Sequence, residues 1–309
     1  MTRVGVVGLG AMGSRIAGRL LASGHEVHGT NRTESKARPL VELGLRWHAT
    51  PREVTTAADV VFSMVTDDEA LEAITGGADG ILAGLAPGKV YVDMSTVSPD
   101  LSVEIAARVR ALGARMLDAP VSGSLSHAET GTLFIMVGGE EPAFRRVAWL
   151  LDELGETVTG VGGNGQGLLL KLAITISLAA QMLAFSEGLL LAIRGGIDPG
   201  LAAELMSMTA IGSPMLKARL PFVLDLPEAA WFDVRLMHKD IRLALHAART
   251  LGVPLPSAAA ASDVLARARA LGYGSRDIAA LHEVLALLSG TPAPANNVRP
   301  FGGWAPAAR

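Results

Sequence analysis

Three groups of residues have types and spacing that could do chemistry. The first is Gly8-Leu9-Gly10-Ala11-Met12-Gly13, a G-x-G-x-x-G that directly follows the apolar run Val4-Gly5-Val6-Val7 and opens a helical pattern. In that context Gly8 permits a tight turn, and Gly10 lets the backbone approach a pyrophosphate. Gly13 lets helix and strand pack closely, and the helix N-terminus offers amide donors to the anion. The second group, Asn31-Arg32-Thr33 with Lys36 one short turn later, lies at the end of the next strand-like run. A dinucleotide with a free ribose 2′-hydroxyl calls for Asp or Glu there, whereas a guanidinium and an ammonium suit a 2′-phosphate. The pair predicts NADPH (NADP+), with NADH the weaker ligand. The third is Lys171, a lone charge entering the apolar stretch Leu168–Ile193, whose next charge is Glu187. Burial lowers a lysine pKa towards the range of a proton-transfer catalyst. A lysine snorkelling to a domain edge would read the same way.

The elements that must position these residues follow from the hydrophobic pattern. Strand-like runs at Val4–Val7, Val27–Thr30, Val60–Val65, Val90–Asp93, Met116–Asp118, Phe134–Val137 and Thr157–Val161 alternate with helical spacing at Ala11–Ser23, Glu34–Leu43, Asp68–Ile74, Pro99–Leu112 and Glu141–Leu151. Such alternation predicts an α/β Rossmann domain with a doubly wound, mainly parallel sheet over residues 1–163. The near-continuous apolar strands agree, since parallel strands are covered on both faces. After Gly167 the pattern becomes helical throughout: Leu168–Arg194, Pro199–Met208, Ile241–Leu251, Ala258–Leu271 and Ile278–Leu287. Residues 164–290 are therefore expected to form an all-α domain, joined to the first by one long interdomain helix. Gly195-Gly196 would stop that helix, and Asp198-Pro199 would start the next. The Pro- and Ala-rich segment 291–309 reads as a mobile tail.

Composition narrows the function classes. Half of the 309 residues are hydrophobic, 18% are charged, and the formal net charge is −3, so a large core is available. No basic stripe points to nucleic acid and no polybasic run to a membrane surface. Cysteine is absent, which removes disulfides, thiolate metal sites and cysteine nucleophiles. That absence fits a reducing cytoplasm, and the N-terminus lacks a signal-peptide pattern. The uncharged part of Leu168–Ile193 is too short for a span, and a lysine and a glutamate on a spanning helix would be costly. The histidines form no metal-ligand spacing, so no metal is expected.

Four stretches together resemble the β-hydroxyacid dehydrogenase family, which includes 3-hydroxyisobutyrate dehydrogenase and the tartronate and succinic semialdehyde reductases. They are the glycine fingerprint; Asp118-Ala119-Pro120-Val121-Ser122-Gly123 followed by Gly131-Thr132-Leu133; Gly165-Gln166-Gly167 leading to Lys171; and Lys239-Asp240 within Leu236–Ile241. The resemblance spans most of residues 1–288 and implies a superfamily, not a substrate. It implies Lys171 as general acid, or base in the oxidative direction. It places Ser122, Gly123 and Ser124 on the loop that grips a substrate carboxylate, Thr96 beside the nicotinamide, Val65 and Thr66 beneath the adenosine half, and Lys239 near the cofactor. It also implies a 6-phosphogluconate dehydrogenase-like helical domain and a homodimer or homotetramer.

Two departures fall on the substrate side. Thr175, one helical turn beyond Lys171, stands where the family carries asparagine, so a carboxamide is replaced by one shorter hydroxyl. Ser124-Leu125-Ser126-His127 replaces a glycine-rich continuation, and His127 reads as a partly exposed loop residue. The expected activity is hydride transfer between NADPH and a small carbonyl or hydroxy compound, such as a semialdehyde or β-hydroxyacid. The competing reading is an imine reductase, which shares the Asn31-Arg32-Thr33…Lys36 segment and favours NADPH. Imine reductases usually lack a lysine at the position of Lys171. A non-catalytic NADPH-binding protein would have little reason to keep that lysine.

Overall fold

The computed structural model describes residues 2–290, so the tail expected over 291–309 lies outside the described residues. The chain divides into two compact units whose boundary falls after Ala173, inside a helix rather than at the glycine-rich segment before it.

The first unit alternates strands and helices as the sequence predicts. Its elements are β1 (Arg3–Val7), α1 (Ala11–Ala22), β2 (Glu26–Thr30), α2 (Arg38–Glu42), β3 (Arg46–Trp47), α3 (Pro51–Ala57), β4 (Val60–Ser63), α4 (Asp68–Thr75), α5 (Ile81–Gly84), β5 (Val90–Asp93), α6 (Pro99–Ala111), β6 (Arg115–Asp118), β7 (Val121–Ser122), α7 (Leu125–Thr130), β8 (Leu133–Gly139), α8 (Glu141–Asp152) and β9 (Gly155–Gly162). The sheet order is β3-β2-β1-β4-β5-β6-β8-β7, with β9 on β8. The run β3 to β6 is wholly parallel, and β8 pairs antiparallel with β6 and β7. Apolar side chains cover both faces. Val4, Val6, Ile16, Leu20 and Phe62 pack on one side, and Val7, Val61, Tyr91 and Ile105 on the other.

The helix expected over Glu34–Leu43 is divided: a 3-10 turn at Glu34–Ala37 precedes α2. Pro39 explains the break, because its ring would clash with the preceding turn of a continuous helix. Thr50 and Glu53 form a capping box that starts α3, an element absent from the sequence reading despite its Thr-x-x-Glu signature. His127, expected in a loop, lies in α7, whose cap Ser124 donates its amide to His127 Nδ1 (3.1 Å).

The long helix α9 (Gln166–Arg194) starts in the first unit and continues into the second. By length and composition alone it could cross a membrane. Leu168 at its start packs into a core of the first unit, while Ala179, Met182, Phe185 and Leu189 pack into the core of the second. The remaining helices are α10 (Pro199–Met208), α11 (Pro214–Leu224), α12 (Val234–Leu251), α13 (Pro256–Ala270) and α14 (Leu281–Leu288). Asp198 caps α10 by accepting the Leu201 amide (2.9 Å), as expected. Helix α12 begins seven residues before the expected Ile241, at the cap Asp233, whose Oδ1 accepts the Leu236 amide (2.7 Å). Lys239 therefore sits within a helix.

Candidate active site

Within the first unit, the residues singled out from sequence gather at the carboxyl ends of the parallel strands, where doubly wound sheets bind ligands. The glycine turn joins β1 to α1. Gly8 has φ +96°, and a Cβ there would lie 2.4 Å from the Met64 carbonyl oxygen. A Cβ on Gly13 would lie 2.0 Å from the Gly8 carbonyl oxygen, so only glycine lets α1 close on the turn. Gly10 differs: a Cβ there would meet nothing within 4 Å. Neither φ nor packing demands glycine at that position, whereas a pyrophosphate approaching the backbone does. Gly10 is also the N-cap of α1 and offers no capping side chain, which leaves first-turn donors for an anion. The cradle fits a dinucleotide phosphate.

Asn31 ties this turn to the neighbouring strand end. Its Oδ1 accepts the Leu9 amide (3.1 Å) and its Nδ2 donates to the Thr33 carbonyl (3.0 Å). Arg32, Thr33 and Lys36 are exposed beside it, and among the described residues neither cation forms an ion pair with a carboxylate. The strand end thus presents two positive charges.

The next two strand ends are joined by a buried network that the sequence reading did not identify. Asp93, at the end of β5, is fully buried. Its Oδ1 accepts from Ser63 Oγ (2.6 Å), Ser95 Oγ (2.7 Å) and the Ser95 amide (3.2 Å). Ser95 Oγ in turn accepts the Val65 amide (2.9 Å), linking the loop of Val65-Thr66 to that of Ser95-Thr96. The Tyr91 hydroxyl lies 2.7 Å from Ser63 Oγ. Among the described residues nothing donates to Asp93 Oδ2. Burial, opposed by the serine hydrogen bonds, pushes the Asp93 carboxyl up to about 6.

Asp118 ends β6 directly beside Asp93 and is also fully buried. Its Oδ1 accepts the Gly165 amide (2.7 Å) and its Oδ2 the Leu168 amide (3.1 Å), so both oxygens cap the first turn of α9. Asn164 Nδ2 adds a bond to the Met116 carbonyl (2.9 Å). A Cβ on Gly167 would lie 2.8 Å from Asp118 Oδ2, which explains the second glycine of Gly165-Gln166-Gly167. Burial raises the Asp118 pKa against the opposing pull of the two amides. Lys171 follows one turn after Leu168 and is half-buried.

Four residues beyond Asp118, Ser122 closes β7, Gly123 has φ +145°, and Ser124 starts α7. Ser124 Oγ lies 2.7 Å from both Ser126 Oγ and His127 Nδ1. The departure from the glycine-rich continuation is therefore a helix cap, and His127 is an exposed helical residue that serves it. Thr175, on α9, is 2% exposed, and spacing of four places it on the same helix face as Lys171. Thr175 and Lys239 belong to the second unit. Lys239 Nζ contacts Asp240 Oδ1 (2.8 Å), and its side chain is 21% exposed, so it is not a freely solvated helix charge.

The second unit has a buried carboxylate of its own that the sequence did not signal. Asp277 accepts the amides of Trp231 (3.0 Å), Phe232 (3.1 Å) and Ala279 (3.1 Å) and pairs with Arg219 (3.3 Å). All four partners are structural. Among the described residues no cluster of His, Asp and Glu could hold a metal.

Comparison with known proteins assigns this arrangement to a class. Residues 3–163 match the model for the NAD-binding domain of 6-phosphogluconate dehydrogenase. Residues 165–285 match the model for the NAD-binding region of NADP-dependent 3-hydroxyisobutyrate dehydrogenase. The chain belongs to the β-hydroxyacid dehydrogenase family and is a nicotinamide-dependent oxidoreductase. It is 37% identical over 287 residues to the 2-hydroxy-3-oxopropionate reductase of Escherichia coli K12, covering 93% of this chain and 98% of that one. It is 36% identical over 282 residues to the chloroplastic glyoxylate/succinic semialdehyde reductase 2 of Arabidopsis thaliana, covering 91% and 79%. Among solved structures, 3-hydroxyisobutyrate dehydrogenase from Salmonella typhimurium superposes with a TM-score of 0.84 at 29% identity, over 92% of this chain and all of that one. The V8 variant of the imine reductase from Myxococcus stipitatus, at 20% identity and TM-score 0.64 over 92% of this chain and 99% of that one, shares the fold.

Proposed function

We propose that this chain reduces small carbonyl compounds that carry a carboxylate, such as semialdehydes, and oxidises β-hydroxyacids in reverse. NADPH is preferred over NADH, and Lys171 is the general acid. One observation carries the reading: a glycine cradle, a cationic strand end and a lysine on an anchored helix are supplied by one sheet at its carboxyl edge. The Escherichia coli and Arabidopsis thaliana relatives are named as reductases of 2-hydroxy-3-oxopropionate and of glyoxylate and succinic semialdehyde.

In this reading the α1 amides beside Gly8–Gly13 hold the diphosphate, and Arg32 with Lys36 takes the 2′-phosphate. Val65 and Thr66 line the adenosine half, and Thr96 the nicotinamide half. Ser122, Gly123 and Ser124 donate to the substrate carboxylate, and Thr175 lies one turn beyond the lysine. The cofactor, when bound, supplies the hydride. Lys171 Nζ gives a proton to the carbonyl oxygen as charge builds there, or takes one from the hydroxyl in the oxidative direction.

Assembly into a homodimer or homotetramer through the helical unit belongs to the same proposal. Leu191 and Met208 are 76% and 71% exposed, an unusual setting for large apolar side chains. Light scattering on purified protein checks it, and a monomer would refute it.

The direct test compares initial rates of NADPH oxidation with succinic semialdehyde and with a cyclic imine. Faster semialdehyde turnover supports the proposal. Faster imine turnover favours the competing reading, which the less polar Thr175 keeps open.

A further inference from the structure

Two chemically active segments leave the same strand end, and one side chain joins them. From Asp118 the backbone runs four residues to Ser122, through Pro120, whose carbonyl accepts the Met136 amide (3.2 Å). From the carboxylate of Asp118, hydrogen bonds reach Gly165 and Leu168, which lie 47 and 50 residues further along the chain. Helix caps are usually supplied by the residue just before the helix. Here the preceding residue is glycine, and the cap comes from another strand, with both carboxylate oxygens engaged.

The azimuth of a helical side chain is set by its first turn, because each residue advances about 100° and 1.5 Å. Lys171 is three residues beyond Leu168, so fixing the Leu168 amide fixes where Nζ can reach. Gly167 and Gly138 deepen the constraint: a Cβ on either would lie within 2.8 Å of an Asp118 oxygen, so the carboxylate fits a slot of set size.

We propose that Asp118 is the positioning residue for Lys171, holding the lysine-bearing turn of α9 in register with the Ser122-Gly123 loop. Its catalytic part rests on Lys171 being the proton donor. Asp118→Asn keeps the shape but turns one acceptor into a donor facing an amide. That clash should displace the first turn of α9 while leaving the glycine cradle as it is.

The test uses the full chain and two readouts. With succinic semialdehyde, kcat of Asp118→Asn should fall about ten- to a hundredfold, as small misplacements of a catalytic group do, with KM for NADPH unchanged. The second readout needs no substrate: competitive acetylation of lysines against pH, followed by peptide mass spectrometry. The Lys171 labelling profile should shift in Asp118→Asn and stay fixed in Asp59→Asn, which loses an exposed carboxylate paired with Arg3. If Asp118→Asn does not fold, Asn164→Ala, which removes the Asn164 side-chain hydrogen bond to Asp118 together with the bond to Met116, should shift the profile in the same direction. If the wild type turns over no carbonyl compound, the functional reading fails and the labelling profile still decides the positioning. A folded Asp118→Asn with wild-type kcat and an unchanged Lys171 profile would overturn the proposal.

Discussion

Asp93 and Asp118 stand opposite one another on adjoining parallel strands, both fully buried, yet they are built for different work. Asp93 is met by two side-chain hydroxyls and one main-chain amide, all three bonds fall on one oxygen, and its carboxyl is pushed up to about 6. Asp118 is met by main-chain amides, one on each oxygen. Asp118 also raises the cost of ionising Asp93, since adjacent like charges disfavour one another. A shared strand end therefore gives one carboxyl free to hold a proton and one that works as a helix anchor. In the proposed reading the first serves the cofactor loops of Val65 and Thr96, and the second serves the substrate loop and the lysine.

The largest expected effect breaks the anchor. Asp118→Ala leaves two buried amides without acceptors, each costing about 1–3 kcal/mol, so urea unfolding should show a loss of about 2–6 kcal/mol. A loss below about 0.5 kcal/mol would mean that α9 does not depend on this carboxylate.

Asp93 is expected to reveal itself through pH. Well below the ordinary value of 3.8 the carboxyl is protonated in both folded and unfolded chains, and its contribution is fully present. As pH rises from the ordinary value of 3.8 to about 6, the unfolded chain releases the proton while the folded chain keeps it, so stability declines. The total is roughly 3 kcal/mol at about 1.4 kcal/mol per unit. Buried His28, His238 and His282 have lowered pKa values and act in the opposite sense as pH falls, so the useful quantity is the difference from Asp93→Asn. That variant keeps the oxygen that accepts all three bonds. The difference should slope between pH 4 and 6 and flatten above; a flat difference throughout would place an ionised carboxylate in the network.

Two smaller effects separate the cofactor side from the substrate side. Arg32→Ala should raise KM for NADPH about tenfold, the scale of one charge-assisted hydrogen bond, and leave KM for NADH and for the carbonyl compound unchanged. Thr175→Asn should improve turnover of small hydroxyacids a few-fold, the scale of a single added hydrogen bond, without altering the NADPH requirement. Crossed effects in either variant would remove the division.

The sequence made the sheet and the site legible to different depths. Periodicity revealed β1, β2, β4, β5 and β6 because both faces of a parallel strand must be apolar, and Gly8 and Gly13 carried their own geometric necessity. Short elements escaped. Helix α7 has one turn and too few apolar residues for a period, and its cap uses histidine where the familiar signature has glutamate. Helix α11 opens on Pro214 and contains Pro221, a residue that disfavours a helix interior. Asp93 and Asp118 were visible as letters, but nothing local says which of two aspartates ending apolar strands will accept amides from 50 residues away. The glycines at 165 and 167 were legible as a family pattern before their reasons, a φ of +88° at Gly165 and room for the Asp118 carboxylate at Gly167, were apparent.

The central claim is that Lys171 Nζ carries the proton. It is tested most directly by kcat/KM against pH for succinic semialdehyde reduction in the wild type and in Lys171→Met. The expected result is a wild-type profile that falls on the alkaline side as the amine loses its proton, and a variant slower by about 10²–10⁴-fold without that limb, the range removed with a general acid. A variant that folds, binds NADPH and keeps both the wild-type rate and the alkaline limb would contradict it.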